Sequence, residues 1–486
     1  KYMVFSSHLF LFWFLPLALC LYYAVHGKAR HALLTLLSYL FYGWTNPLFV
    51  VLLLVSTLID YCCGLILIGY PKVKKEDIKV FPRDGVRTSK QKWAVAISVI
   101  SNLSLLGFFK YCNFGIENWN FLMESLMLSN SWLLPSLHIV LPLGISFYTF
   151  QSMSYAIDVY RGDAKGITSF IDFSCYVSMY PQLVAGPIVR FQEVADQLVF
   201  RTYTWEKFAR GIAFFVMGMG QKILLANPCG KLADLAFDTP ARMVADAWVG
   251  VFSYSFQIFF DFAGYSNMAI GLGLMLGFIF PKNFDCPYQS LSITEFWRRW
   301  HISLSTWLRD YLYIPLGGNR KGTARTYINL FLVMFLGGLW HGAAWTFVIW
   351  GTIHGIVLAI ERYTGLRKPE YIMEKVLRWG YTYLIVLLAW VFFRSASLPD
   401  ALSYLGSMFG TTGTGVNAPL ISGVMYTPYH IVCLLLTTLF VALAPPAWTW
   451  TREIGTGKWI MIALVFVVAV AALTTQSYNP FIYFIF

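Results

Sequence analysis

A histidine inside an apolar run is the first residue in this sequence that points to chemistry. His341 lies in Gly-Gly-Leu-Trp-His-Gly (337–342), and no Asp, Glu, Lys or Arg occurs from Thr326 to Ile360. An ionisable side chain at membrane depth is costly and is a functional hypothesis by default. A neutral imidazole is the usual base for taking a hydroxyl proton near pH 7. The alternative is a hydrogen-bonded histidine of a helix bundle, but the flanking glycines favour a base because they clear space for a substrate as well as for a neighbouring helix.

The segment 292–355, which contains His341, forms a predicted catalytic core. His301 lies among tryptophans near its start, and Glu295 stands four residues before an arginine. The arginines that suit phosphate are Arg298, Arg299 and Arg309. Two interpretations remain open here. The arginines either snorkel from an interfacial helix, or they hold the phosphates of a nucleotide-bearing donor while His301 faces a channel.

Three further features are expected to position these groups. Asp261 interrupts the apolar run 248–280 and could either hold a catalytic histidine in its useful tautomer or tie helices together. His354 lies thirteen residues beyond His341. On a continuous helix it would face roughly the opposite way, which favours a structural role. Two prolines and a glycine within residues 180–187 predict broken backbone beside a cavity.

Composition sets the fold class. Of 486 residues, 58% are hydrophobic and 12% charged, whereas soluble domains have roughly a quarter charged. We therefore expect an all-α polytopic integral membrane protein, one transmembrane domain over residues 1–486, with roughly eleven spans plus re-entrant helices. The net charge of +12 gathers in short connections and not on an aromatic-lined basic face, which excludes nucleic acid as a partner. The eight cysteines show no metal-ligand spacing, so we expect no metal site.

Basic residues in the short connections predict the orientation. Eight basic and three acidic residues lie between Tyr70 and Lys92, which places this connection in the cytoplasm. Counting back through the preceding runs puts Lys28 and Arg30 on the same side and the N-terminus outside. Arg452 lies in the last connection between apolar runs and predicts that this connection is cytoplasmic too. The final run then places the C-terminus outside the cytoplasm as well.

Several of these motifs occur together in a known family. The segment Phe-Trp-Arg-Arg-Trp-His-Ile-Ser-Leu-Ser-Thr-Trp-Leu-Arg-Asp-Tyr-Leu-Tyr (296–313) is followed by Leu-Gly-Gly-Asn-Arg (316–320) and Gly-Gly-Leu-Trp-His-Gly (337–342). Phe-Asp-Phe-Ala-Gly-Tyr-Ser (260–266) and Asp-Val-Tyr-Arg-Gly-Asp (158–163) precede them. Together they resemble the membrane-bound O-acyltransferase (MBOAT) family, and in particular its alginate O-acetyltransferase membrane subunits.

The resemblance implies a helical ring or funnel with a tunnel from a cytosolic donor to an extracytoplasmic acceptor. It implies that His341 is the catalytic histidine and His301 the second signature position, with Trp340 and Asp261 flanking them. The C-terminal aromatic motif, residues 478–486, is similar to a motif whose tyrosine is proposed to relay the acyl group, here Tyr483. An aromatic anchor at the membrane interface is an equally open interpretation of Tyr483.

The function implied is membrane O-acetylation in the bacterial inner membrane. Acetyl-CoA would be the donor substrate, with no bound cofactor. An extracytoplasmic SGNH-type acetyltransferase partner would pass acetyl to a polysaccharide, with alginate as the best-supported acceptor. Gln182 stands where alginate-type members often have histidine, so peptidoglycan or another exopolysaccharide stays open. A non-catalytic transporter or flippase predicts inverted repeats, which the sequence lacks, and a lipid-modifying acyltransferase would not need the C-terminal motif.

Overall fold

The computed structural model describes residues 3–127, 130–137, 139–239, 242–365, 369–411, 418–476 and 478–482. Within these ranges the chain is helical and contains no strand. It forms two compact units. Unit 1 comprises Lys1–Ala209 and Leu272–Pro281, and unit 2 comprises Arg210–Gly271 and Lys282–Phe486. The prediction of a single domain over residues 1–486 stays a prediction.

In the described part of unit 1, eight α-helices precede residue 200. They are α1 (Leu15–Ala24), α2 (Ala29–Gly43), α3 (Pro47–Ile68), α4 (Ser89–Ser125), α5 (Ile145–Arg161), α6 (Phe170–Ser178), α7 (Tyr180–Leu183) and α8 (Phe191–Val199). The single residue Met179 between α6 and α7, and the non-helical stretch after α7, confirm the predicted broken backbone at residues 180–187.

The remaining helices build mainly unit 2. They are α9 (Trp205–Gly220), α10 (Asn227–Phe237), α11 (Val244–Met275), α12 (Ile293–Arg299), α13 (Ile302–Leu308), α14 (Thr323–His341), α15 (Trp345–Thr364), α16 (Ile372–Arg394), α17 (Leu398–Met408), α18 (Ala418–Met425), α19 (Pro428–Leu443), α20 (Ala447–Trp450) and α21 (Thr456–Thr475). A buried aromatic core of unit 2 includes Trp300, Trp350 and Trp390.

Local sequence signals explain where individual helices begin and end. The Asn46 side chain accepts a hydrogen bond from the Leu48 amide, and Pro47 occupies the first turn of α3, where its missing N–H costs nothing. The same helix ends at Gly69, whose φ of 71° is left-handed and therefore favours glycine. Thr88 and Gln91 form a reciprocal capping box that starts α4.

Among the described residues, six helical segments are long and apolar enough to cross a membrane. They are Pro47–Ile68, Ser89–Ser125, Trp205–Phe237, Val244–Met275, Ile372–Arg394 and Thr456–Thr475, and two shorter apolar segments are Phe10–Ala24 and Pro428–Leu443. This confirms a polytopic helical membrane protein. The expected total of roughly eleven spans stays a prediction.

Candidate active site

His341 ends α14 inside a group of aromatic side chains. It is 5% exposed, and its ring centre lies 5.0 Å from that of Trp340, 5.1 Å from Trp350 and 5.3 Å from Phe393. The C-terminal end of a helix carries partial negative charge, which stabilises a cation placed there. The position of His341 therefore suits a base that becomes an imidazolium when it takes a proton.

Glycines bring α14 and α15 close together behind this histidine. A Cβ atom on Gly338 would lie 2.4 Å from the Phe347 carbonyl oxygen, and one on Gly351 would lie 2.4 Å from a carbonyl oxygen of α14. Gly337 differs, because a Cβ there would meet only Leu308, at 3.5 Å, and Gly337 lines a cavity. The glycines thus divide the two tasks predicted for them: Gly338 permits helix contact, and Gly337 leaves space.

His301 occupies the junction between α12 and α13. It is fully buried, and its φ of 45° is in the left-handed region that non-glycine residues rarely adopt. Asn283 holds this junction: its side-chain oxygen lies 3.2 Å from the His301 Nδ1 and accepts from the Ser303 hydroxyl at 2.9 Å, and its carbonyl accepts from the Ile302 amide at 2.9 Å. Such strained residues concentrate at functional sites.

The two histidines are neighbours with different surroundings. Their ring centres lie 6.4 Å apart. Burial lowers the pKa of His301 to about 3, so its imidazole is neutral. Because Nδ1 donates to Asn283, Nε2 is an acceptor, and it has no hydrogen-bond partner among the described residues. A buried acceptor without a partner is costly, and a substrate donor between the two rings would satisfy it.

A cavity of about 770 Å³ opens beside His341. Its walls also include Arg298, Arg309 and Trp297. The volume is within the usual range of small-molecule sites. It therefore brings the predicted base and two of the three predicted donor-binding arginines around one space. His301 is not among its lining residues.

The three arginines differ in the charges that surround them. Arg299 pairs with Glu295 at 2.7 Å, as the four-residue spacing predicts, and Arg309 pairs with Asp310 at 2.7 Å. Arg298 forms no ion pair with any carboxylate in the described ranges. Its charge is therefore the most available of the three for an anionic donor.

Asp261 binds a lysine and the backbone of the C-terminal segment. Its carboxylate pairs with Lys222 at 2.7 Å, with both side chains buried, and accepts from the Ile482 amide at 2.7 Å. Of the two interpretations left open by the sequence, this contact pattern favours tying elements together. The next residue, Phe262, reaches the site instead, with its ring centre 4.6 Å from that of His301.

Residues 478–482 are held along unit 2 by several contacts. Lys222 donates to the carbonyl of Pro480, and Asn227 donates to the carbonyl of Tyr478 at 3.2 Å. The Phe481 ring stacks on that of Tyr265 with centres 4.5 Å apart. Ile482 joins the aromatic core that contains Trp300 and Trp350. Tyr483 lies outside the described residues.

The expected orientation of His354 is wrong. The helix is broken after His341, and α15 begins anew at Trp345. As a result, the rings of His341 and His354 both contact Trp350, each with centres 5.1 Å apart. His354 accepts from the Trp297 indole N–H at 3.3 Å. Its predicted structural role stays a prediction.

Lys222 was not identified from the sequence. It is the only charged residue between Arg210 and Lys231 in a mainly apolar stretch, and a lone cation in such a run is a signal that could have found it. Asn283 and Phe393 carried no comparable signal, because only folding brings them to the histidines. In the part of the chain that the structure describes, no group of three or more His, Cys, Asp or Glu side chains converges as a metal site.

Comparison with known proteins places this geometry in a family. The family model of the membrane-bound O-acyltransferases matches residues 163–398. A Pseudomonas putida protein named Probable alginate O-acetylase AlgI is 44% identical over the full length of both chains, and one of the same name from Azotobacter vinelandii is 42% identical, also over both full lengths. The Helicobacter pylori Peptidoglycan O-acetyltransferase is 36% identical over 85% of this chain and 81% of its own.

The matched region contains both histidines, the cavity arginines and Asp261. It also covers the hairpin of α14 and α15 that presents His341. The full-length similarity extends the match to both ends of the chain. This chain belongs to the membrane-bound O-acyltransferase family and is a membrane O-acyltransferase.

Proposed function

We propose that this enzyme takes acetyl from acetyl-CoA and transfers it across the bacterial inner membrane for O-acetylation of an extracytoplasmic polysaccharide, with alginate as the acceptor. The observation that carries the proposal is the cavity lined by both His341 and Arg298, an arginine that pairs with no carboxylate among the described residues. A thioester donor bearing phosphates needs both an anion-binding cation and a base near its reactive carbon. Both groups line this one cavity.

The chemistry follows from the neutral state of a histidine base. His341 takes the proton of an attacking hydroxyl while the hydroxyl oxygen bonds to the thioester carbonyl carbon. The tetrahedral intermediate collapses as the carbon–sulfur bond breaks. The imidazolium of His341 returns its proton to the departing thiolate, which leaves coenzyme A as the free thiol and the acetyl group as an ester. No metal or redox step is required.

The donor end is assigned to the arginines. Arg298, which forms no ion pair with a described carboxylate, binds donor phosphate, and Arg309, which pairs with Asp310, adds positive charge to the same cavity. Arg299 contributes less, because Glu295 already neutralises it. Trp340 and Trp350 pack around His341 and exclude water, which limits hydrolysis of the thioester.

The first acceptor is assigned to Tyr483. The contacts that fix residues 478–482 support this assignment, because Asp261 binds the amide of Ile482, the residue immediately before Tyr483. An acetyl-tyrosine at the C-terminal end would then pass its acetyl group to an SGNH-type partner on the outer side. The predicted extracytoplasmic position of both termini gives such a relay its direction.

Alginate is the proposed polymer because the relatives that match over their full length carry that name. Peptidoglycan is the second candidate, supported by the Helicobacter pylori relative. Measuring ester-linked acetate on both polymers from a deletion strain distinguishes them. Loss from alginate alone supports the first proposal, and loss from peptidoglycan alone replaces it.

The direct test is transfer of radiolabelled acetyl from acetyl-CoA to the purified protein. We expect label on the wild type, but not on His341→Ala or Tyr483→Phe. His430→Ala, which changes a partly exposed histidine bonded to Thr427, is the matched control and should label normally. Normal labelling of His341→Ala would overturn the assigned base, and normal labelling of Tyr483→Phe would make that residue an anchor.

A further inference from the structure

Unit 1 contains a second cavity, of about 610 Å³, which the acyl-transfer chemistry does not use. Five lysine and arginine side chains line it, against two carboxylates. The cations are Lys28, Arg30, Lys75, Lys165 and Arg201, and the carboxylates are Asp172 and Asp196. The cavity also brings together the two basic connections that the sequence predicts on one side of the membrane. The excess positive charge of the cavity attracts anions.

One carboxylate of this cavity is already engaged. Asp172 accepts from the His31 Nδ1–H at 2.6 Å, and the His31 Nε2 lies 2.8 Å from an Arg201 nitrogen. Arginine can only donate, so His31 is a neutral imidazole that accepts from Arg201. Asp172 is thus turned toward the histidine, and Arg201 contacts the histidine and not the carboxylate.

Arg201 is fixed in place by neutral groups. Besides His31, it donates to the Tyr22 hydroxyl at 2.9 Å and to the Gln197 carbonyl at 3.2 Å. Its guanidinium also lies over the ring of Phe278, 4.3 Å from the centre. Within the described ranges Arg201 forms no ion pair with a carboxylate. These contacts hold the guanidinium in position, and no carboxylate in the described ranges pairs with its charge.

Arg30 faces the same space with more of its donors available. Its Nε donates to the Val25 carbonyl at 2.7 Å, and its other guanidinium N–H groups have no acceptor in the part of the chain described here. The guanidinium carbons of Arg30 and Arg201 lie 4.5 Å and 5.7 Å from the centre of the Tyr203 ring. Two like charges beside one ring repel each other, and an anion between them would remove that cost.

Backbone polarity adds to the side-chain charge. The helix α2 begins at Ala29, and Lys28 at its N-cap position provides no side-chain cap. Lys28, Arg30 and His31 of this first turn all line the cavity. A helix N-terminus carries partial positive charge and unsatisfied N–H groups. It therefore reinforces the two arginines.

We propose that this cavity is a binding site for a phosphate-bearing anion, with Arg30 and Arg201 as its principal ligands. The planar guanidinium matches the oxygen geometry of phosphate better than an ammonium group does. Lys28, Lys75 and Lys165 also line the cavity and are more exposed than the two arginines, so the phosphate can belong to a soluble molecule or to a phospholipid headgroup. The proposal does not depend on the acyl-transfer site, since every residue that lines this cavity belongs to unit 1.

The test measures binding to the full-length protein with two kinds of probe. Inorganic pyrophosphate, titrated calorimetrically against the protein in neutral detergent, represents the soluble source. Nanodiscs containing phosphatidic acid or phosphatidylcholine, followed by native mass spectrometry of retained lipid, represent the headgroup source. The variant is Arg30→Gln, which removes one side-chain hydrogen bond, to the Val25 carbonyl, and the guanidinium contacts with the rings of Tyr22, Tyr23 and Tyr203. The control is Arg83→Gln, which changes an exposed arginine of unit 1 that pairs with Asp163.

We expect Arg30→Gln to weaken binding of one or both anionic probes about tenfold or more, because it loses one charge-assisted contact. Arg83→Gln should bind the probes like the wild type. Pyrophosphate binding alone identifies a soluble ligand, and selective retention of phosphatidic acid alone identifies a headgroup. Arg201→Lys keeps the charge but loses the planar fork, and it should also weaken binding. Absence of binding to the wild type, or equal binding by Arg30→Gln, overturns the proposal.

Discussion

The buried pair of Lys222 and Asp261 offers a stringent test of how unit 2 holds its C-terminal segment. Their side chains are 3% and 2% exposed and lie 2.7 Å apart. The lysine also donates to Asn227 at 2.9 Å and to the Pro480 carbonyl, and the aspartate accepts from the Ile482 amide. Removing one charge leaves the other buried without its counter-ion.

The expected cost can be worked from these contacts. Breaking a buried ion pair on one side costs about 3–5 kcal/mol, because the remaining charge is uncompensated. We expect this loss for Lys222→Met. For Asp261→Asn we expect about 3 kcal/mol, at the lower end, because the asparagine oxygen still accepts from Ile482 and the lysine keeps two neutral acceptors. The double variant buries no charge, so its loss should be about 2 kcal/mol or more below the sum of the two single losses.

Equilibrium unfolding of the purified protein in mixed micelles, followed by circular dichroism, measures these free energies. Lys231→Met is the matched control, since that lysine lies over the Tyr478 ring at 5.7 Å but pairs with no described carboxylate. It should cost less than about 1 kcal/mol. Additive losses in the double variant, or an equal loss for Lys231→Met, would refute the argument. Hydrogen exchange at the Ile482 amide should also accelerate in Lys222→Met, which reports local release of the segment.

Three further predictions concern the active-site helices. Gly351→Ala should destabilise the protein by about 1–3 kcal/mol in the same unfolding assay, since its Cβ would meet a carbonyl oxygen of α14 at 2.4 Å. Gly337→Ala should fold normally, because its Cβ would lie 3.5 Å from the Leu308 side chain, but it should raise the KM for acetyl-CoA. Arg298→Gln should raise that KM about tenfold, whereas Arg299→Gln should change it little because Glu295 already pairs with it. Glu361→Gln should cost about 1–2 kcal/mol of stability, because the carboxylate accepts from two amides that begin α12, and an unchanged unfolding midpoint would contradict this role.

The sequence predicts much of the chemistry because each signal is local. A charge-poor run identifies a span wherever it lies in the fold, so the polytopic class follows from composition. His341 stands out because an ionisable group in such a run needs a reason. The Glu295–Arg299 pair follows from the helical repeat alone, and the structure confirms it.

Tertiary structure decided what depends on distant segments. The role of Asp261 stayed open because its partner Lys222 lies 39 residues earlier in the sequence, and the Ile482 amide is more than 200 residues later. The predicted orientation of His354 is wrong because the sequence does not show that the helix breaks after His341. The Nε2 of His301, which has no hydrogen-bond partner among the residues described, is likewise positioned by a turn that Asn283 stabilises from outside the catalytic segment. Helical periodicity and hydropathy act within one segment, whereas pairing of buried charges depends on which segments the fold brings together.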